Sequence, residues 1–202
     1  MEASNFAKAQ GAVLLSLHTS AEDPKNGSLW LAAAIQIARP LEPDTILRYN
    51  GADKLPMIKR LWWSILLRDR SLSLGLRRYP QMTSVNFITD ANWLHEDDFA
   101  DEFKHSKVYN EDTKRQLFAA LQEQCRLAVL LTDIVSNVLT SAGQLPRVRP
   151  KEEDERSATI IQDTKAQLIQ WKNESALSPG SRTVSIAHEF VHFFLHVTYM
   201  YY

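Results

Sequence analysis

Apolar residues recur every three or four positions between Met57 and Leu76, as they do on one face of an α-helix. Further apolar residues widen this face, so that only a narrow polar strip remains. The apolar positions are Ile58, Leu61, Trp62, Trp63, Ile65, Leu66, Leu67, Leu72, Leu74 and Leu76. The polar strip consists of Arg60, Ser64, Arg68, Ser71 and Gly75. This pattern predicts a central helix surrounded by other helices.

Asp69 interrupts the apolar face, because it lies between Trp62 and Leu72 on the same side of the predicted helix. Burying a carboxylate is costly unless the group is paired and hydrogen-bonded. We therefore predict a structural ion pair in which an arginine, or the backbone of a neighbouring segment, holds Asp69. A role as general base is the alternative, but no nucleophile or second carboxylate shares its face.

The same helical spacing recurs in several other parts of the chain. The predicted helices are residues 4–17, 28–39, 110–139, 158–171 and 183–202. Ser4 and Asn110 are suitable N-caps, and Gly143 is a suitable stop for the long helix that begins at Asn110. The sequence thus predicts an all-α fold, a single helical domain of about six or seven helices in an irregular array.

The segments between the predicted helices define the domain organisation. Residues 81–95 show no clear period and are predicted to form an ordered surface loop. We expect one domain over residues 1–202, with a core at 4–142, a loop at 143–157 and C-terminal helices at 158–202. Because the last helix ends on Tyr201-Tyr202 without a capping residue, we also expect that it is truncated.

Composition and charge exclude several classes of function. The 202 residues include 23 basic and 24 acidic side chains, a formal net charge of −1, so no positive excess is present to neutralise phosphates. Direct DNA binding is therefore not expected. Cys125 is the one cysteine, which excludes an internal disulfide and fits a reducing compartment. It lies on the apolar face of the long predicted helix, which indicates a buried packing residue. Neither a signal peptide nor a membrane span is expected.

The central segment resembles a signature of the middle homology region of fungal zinc-cluster transcription factors. The residues that carry the resemblance are Lys59-Arg60-Leu61-Trp62-Trp63, Asp69-Arg70, Leu74-Gly75, Arg78 and Pro80, followed by Glu96-Asp97-Asp98-Phe99. The resemblance implies an all-helical regulatory domain, located in the nucleus, that controls a DNA-binding zinc cluster elsewhere in the polypeptide. Such a cluster needs six cysteines, so it is absent from this chain.

The resemblance also implies which residues and partners matter. The expected structural or regulatory keystones are Arg60, Trp62, Trp63, Asp69, Arg70 and Arg78. Expected partners are other transcription proteins or a second copy of the chain, with a small-molecule effector as a further candidate. DNA would be contacted only indirectly, no cofactor is expected, and no enzyme activity is expected.

His188-Glu189-Phe190-Val191-His192 is the one motif that points to a different protein. Two histidines one helical turn apart with an intervening glutamate are typical of zinc metallopeptidases. The third ligand is missing, because His196 lies on the same predicted helix, about 12 Å along the axis from His188. We therefore predict no metal site here. A zinc metallopeptidase and a stand-alone protein-interaction module that has lost its DNA-binding half remain the alternatives.

Overall fold

The computed structural model describes residues 2–18, 23, 25–41, 54–76, 78–82, 88–137 and 151–174. These residues contain six α-helices and no β-strand, which confirms the predicted all-α fold. The helices are α1 (Glu2–Leu17), α2 (Asn26–Ala38), α3 (Leu55–Leu76), α4 (Ala100–His105), α5 (Glu111–Asn137) and α6 (Lys151–Glu174). Short 3-10 turns lie at Arg39–Leu41, Asp90–Asn92 and Glu96–Phe99.

The chain divides into two compact units. Unit 1 comprises Met1–Leu72 and Gln81–Ala100, and unit 2 comprises Ser73–Pro80 and Asp101–Tyr202. The boundaries predicted for the core and the C-terminal helices remain predictions. None of the described helices combines the length and the apolar character that crossing a bilayer requires.

Unit 1 is built from α1, α2 and most of α3. Helices α1 and α2 pack against each other, and each buries alanines, Ala9 and Ala12 in α1 and Ala34 and Ala38 in α2. Small buried side chains allow two helix axes to approach closely. Several of the larger buried apolar side chains of unit 1 come from α3, and Leu31 of α2 and Leu94 are buried as well. Those from α3 are Ile58, Leu61, Trp62, Trp63, Ile65 and Leu66.

The ends of α3 follow from its sequence. Pro56 lies in the first turn, where a missing backbone N–H costs nothing because that group has no partner within the helix. At the other end, the backbone N–H of Arg78 donates to the Ser73 carbonyl at 3.0 Å and so satisfies one of the last carbonyls of the helix. Along its length only Ser64 and Gly75 of the predicted polar strip are exposed.

Unit 2 has its own apolar core. Its members come from the end of α3, from α5 and from α6, and they are Leu74, Leu127, Leu131, Val135, Leu168 and Trp171. Asn110 caps α5 as predicted, since its Oδ1 accepts a hydrogen bond of 2.8 Å from the Thr113 backbone N–H. Cys125 is buried, which confirms its predicted packing role, and burial raises the pKa of its thiol to about 12.

Two helix starts differ from the sequence prediction. Helix α1 begins at Glu2, so Ser4 lies inside the helix and does not cap it. Helix α2 begins at Asn26 and not at Ser28. The change at α2 has a local cause, because Asp23 accepts a 3.2 Å hydrogen bond from the Lys25 backbone N–H and this turn starts the helix two residues earlier.

The loop predicted at residues 143–157 is wrong in its second half, because α6 begins at Lys151. The predicted loop included a charged run at residues 151–156, which consists mostly of residue types that favour helices. Pro150 directly precedes this run. The predicted end of α5 near Gly143 and the predicted helix at residues 183–202 lie outside the described residues.

Candidate functional site on the central helix

Asp69 lies within α3 with only 1% of its surface exposed, and its carboxylate is fully engaged. Its Oδ1 accepts the backbone N–H of Gln81 at 2.9 Å, and its Oδ2 accepts the backbone N–H of Met82 at 3.2 Å. Arg70 Nη1 donates to Oδ2 at 2.6 Å. Both partners that the sequence suggested, an arginine and the backbone of a neighbouring segment, are therefore present.

Arg70 is as deeply buried as its neighbour, with 2% of its surface exposed. Besides the carboxylate, its Nη1 contacts the Met82 carbonyl at 3.2 Å. Burial lowers the pKa of the Arg70 guanidinium, and the charge of Asp69 opposes that shift. The pair thus holds residues 81–82 against α3, and Gln81 in turn donates from Nε2 to the Ser28 carbonyl of α2 at 3.0 Å.

The two adjacent tryptophans of α3 bind two different segments. Trp62 Nε1 donates to the Leu41 carbonyl at 3.1 Å, at the end of the 3-10 turn that follows α2. Trp63 Nε1 donates to the Asn92 carbonyl at 2.9 Å. The Trp63 ring also meets the ring of Trp93 edge to face, with centroids 4.8 Å apart, an arrangement that aromatic pairs prefer.

Lys59, one turn before Trp63, secures the same neighbouring segment by charge. Its Nζ lies 3.3 Å and 3.2 Å from the two carboxylate oxygens of Asp98 and 3.3 Å from the Trp93 carbonyl. Both side chains of this ion pair are buried. Asp98 Oδ2 also accepts the backbone N–H of His95 at 2.9 Å, which closes the 3-10 turn at Glu96–Phe99.

Two further arginines extend this set of contacts. Arg60 places its guanidinium 5.2 Å from the centroid of the Phe99 ring, a cation–π contact. Arg68 Nε donates to Ser16 Oγ at 3.2 Å, and Arg68 Nη2 donates to the Ser16 carbonyl, which connects α3 to the end of α1. Burial lowers the pKa of Arg68.

Five of the six predicted keystones therefore lie on α3 within unit 1: Arg60, Trp62, Trp63, Asp69 and Arg70. They do not converge on one reacting centre: Asp69 and Arg70 share residues 81–82, whereas Trp62 contacts Leu41, Trp63 contacts Asn92 and Arg60 contacts Phe99. Arg78 belongs to unit 2, where it is half-buried and its backbone completes the end of α3.

Lys59 and Asn92 are contributors that the predicted set lacked. The available signal for Lys59 was its position, since residues 59, 63, 66 and 70 share one face of a helix that is otherwise buried.

No metal centre emerges from the part of the chain that the structure describes. Across the described ranges, no group of three or more His, Cys, Asp and Glu side chains is placed to hold a metal ion. The candidate zinc ligands His188 and His192, with Glu189 between them, lie outside the described residues. The described residues instead form a helix, α3, whose side chains hold neighbouring segments by hydrogen bonds and ion pairs.

Comparison with known proteins gives two relatives. The first is cutinase transcription factor 1 beta of Fusarium vanettenii, 25% identical over 175 residues that cover 79% of this chain and 19% of the relative. The second is a protein of Fusarium pseudograminearum named transcription factor, 31% identical over 105 residues that cover 48% of this chain and 11% of the relative. The chain shows weak homology to fungal transcription factors.

The extent of this homology is limited in both directions. The chain spans about a fifth of the length of the first homologue and about a tenth of the second. No family model matches the chain. No solved structure matches it either. Both homologues are named as transcription factors, and the lack of enzyme activity expected from the sequence stays a prediction.

Proposed function

We propose that this chain is a middle-homology-like regulatory region of a fungal transcription factor and that it acts in the nucleus. The observation that carries the proposal is the homology to two proteins named as fungal transcription factors. The sequence signature that suggested this family independently coincides with α3, whose side chains make the buried contacts of unit 1.

The contacts of α3 suit a regulatory region whose segments are held together by one helix. Trp62 fixes Leu41, Trp63 and Lys59 fix residues 92–98, and Asp69 fixes residues 81–82. Because these contacts are buried, and those of Lys59 and Asp69 are also charge-assisted, residues far apart in sequence are held to one helix. We therefore expect that a change at one of these contacts would alter the surface that the segments held by the other contacts form.

Charge favours regulation through protein contacts. The chain has a formal net charge of −1, so the counterion release that supports DNA binding is not available to it as a whole. We propose that DNA is reached only through another part of the polypeptide or through a partner. We include in the same proposal a small-molecule effector as a further candidate partner of this chain.

A reporter assay tests the proposal. The 202-residue chain is inserted between an unrelated DNA-binding domain and a strong activation domain, and the reference fusion carries an unrelated helical domain of similar length. We expect the chain to lower reporter output about fivefold or more, the range typical of coupling between domains. Promoter occupancy and protein abundance are measured in parallel.

Two variants complete this assay. Asp69→Ala, which removes the buried acceptor of Arg70, should return output to the level of the reference fusion. Arg156→Ala changes an exposed residue of α6 and should leave the repression intact. Output equal to the reference for the unchanged chain, at equal occupancy, would reject the regulatory role.

A further inference from the structure

The side chain of Asn92 is buried without a hydrogen-bond partner. Asn92 ends the 3-10 turn Asp90–Asn92, and only 1% of its surface is exposed. Within the part of the chain that the structure describes, neither its Nδ2 nor its Oδ1 has a partner. Folding removes such an amide from water without replacing its hydrogen bonds, which costs free energy. A buried amide of this kind therefore indicates a bound molecule.

The backbone around Asn92 is held in place, which fixes the position of this amide. The Asn92 carbonyl accepts from Trp63 Nε1 at 2.9 Å, and the Asn92 N–H donates to the Thr89 carbonyl at 3.0 Å. The carbonyl of the next residue, Trp93, accepts from Lys59 Nζ at 3.3 Å. The amide thus lies on a segment that α3 holds at two successive carbonyls, so its partner must fit within this arrangement.

The chemistry of a carboxamide selects the kind of partner. Nδ2 donates and does not accept, whereas Oδ1 accepts and does not donate. A cation could therefore serve only Oδ1, and an anion only Nδ2. A molecule that both donates and accepts can serve both atoms, because they are attached to the same carbon and lie side by side. Water is the smallest such molecule, and size matters because both atoms are buried.

We propose that Asn92 is the binding site of an internal water molecule, independently of the role of the chain in transcription. The water accepts a hydrogen bond from Nδ2 and donates one to Oδ1. Asn92 is then a positioning residue for Trp63, because its carbonyl binds the indole and its hydrated side chain stabilises the turn that presents this carbonyl. Proteins hold about one internal water per 27 residues, so the test must isolate this water among several.

Relaxation dispersion of the water oxygen nucleus, measured on the full 202-residue chain, tests this proposal. The method counts the water molecules that a protein retains for longer than its tumbling time, and labile side-chain hydrogens do not contribute. We expect Asn92→Leu, which has a similar size and no polar atoms, to retain one water fewer than the wild type. Leu94→Met is the matched control, because Leu94 is equally buried in the same segment and the change conserves volume. It should leave the count unchanged.

A second measurement needs the wild-type chain alone, so it also decides the case in which Asn92→Leu fails to fold. Rotating-frame Overhauser spectra should show a direct cross-peak between water and the side-chain amide hydrogens of Asn92, of the sign opposite to hydrogen exchange. Equal water counts in the wild type and Asn92→Leu would overturn the proposal. Amide hydrogens of Asn92 that contact only protein groups would also overturn it, because another part of the chain would then be the partner.

Discussion

Asp69 and Arg70 are neighbours in sequence and form a buried ion pair, with Arg70 Nη1 2.6 Å from Asp69 Oδ2. Neighbouring residues on a helix point in directions about 100° apart, and in this pair a third group also contacts both side chains. Here that group is the backbone of Gln81 and Met82, which donates two N–H groups to Asp69 and offers a carbonyl to Arg70. The pair therefore secures a chain segment as well as neutralising two charges.

Removing one member of this pair should destabilise the protein strongly. We expect Asp69→Ala to lower the free energy of unfolding by about 3–5 kcal/mol, because it leaves the Arg70 charge buried and uncompensated. Urea denaturation followed by circular dichroism measures the change. The control is Arg115→Ala, which breaks the exposed Arg115–Glu111 pair and a cation–π contact with the Phe103 ring, and should cost about 1–2 kcal/mol or less. Similar losses in the two variants would contradict the buried-pair interpretation.

The cap of α5 gives a smaller and more local prediction. Asn110→Ala removes the acceptor of the Thr113 N–H and should cost about 1 kcal/mol, whereas Asn110→Asp keeps an acceptor and should cost less. Thermal unfolding of the three chains provides the comparison. If Asn110→Ala unfolds at the wild-type temperature, the capping bond contributes nothing in solution.

Cys125 should make stability depend on pH in the alkaline range. Its thiol pKa rises from 9.0 in the unfolded chain to about 12 in the folded one, because burial disfavours the thiolate. Between these values the unfolded state has lost a proton that the folded state retains, so stability falls as pH rises, by up to about 1.4 kcal/mol per pH unit.

The comparison with Cys125→Ala isolates this effect, because the other titrating groups are common to both chains. The stability difference between wild type and variant should be constant below about pH 9 and should then shift against the wild type. Urea titrations at about pH 7, 9 and 10.5 provide three points: one below both pKa values, one near the lower value and one between the two. A constant difference at all three would contradict the burial of the thiol.

Zinc content tests the metallopeptidase alternative. We expect the purified chain to retain no stoichiometric zinc after dialysis. His188 and His192 supply two ligands, but His196, on the same predicted helix, is poorly placed to supply the third. Atomic absorption measures the wild type beside a His188→Ala/His192→Ala variant. One zinc per wild-type chain that is lost in the variant would support the peptidase and reject the prediction.

The sequence correctly predicted α3 and the buried, paired carboxylate of Asp69 because both depend on local information. A helical period over 20 residues indicates a buried helix, and a lone carboxylate within it, Asp69, must have a partner. The cap at Asn110 is equally local. These features could be identified without knowing which segments meet in space.

Contacts between distant segments could not be predicted in the same way. Lys59 pairs with Asp98, 39 residues away, and no periodicity relates the two positions. The position of Lys59 on a buried face of α3 indicates that it needs a partner, but the sequence does not say which carboxylate supplies it. The loop predicted at residues 151–157 was wrong because the composition of this charged run suits both an exposed helix and a flexible connection.

Lys114 has a consequence for the order in which unit 2 folds. From α5, its ammonium donates to the carbonyls of Glu102 at 2.8 Å, Phe103 at 3.2 Å and Ser106 at 2.6 Å, which uses all three of its N–H groups at the end of α4. Helix α4 has six residues, too few to persist alone in water. We therefore expect the last turn of α4 to become ordered only together with the first turns of α5.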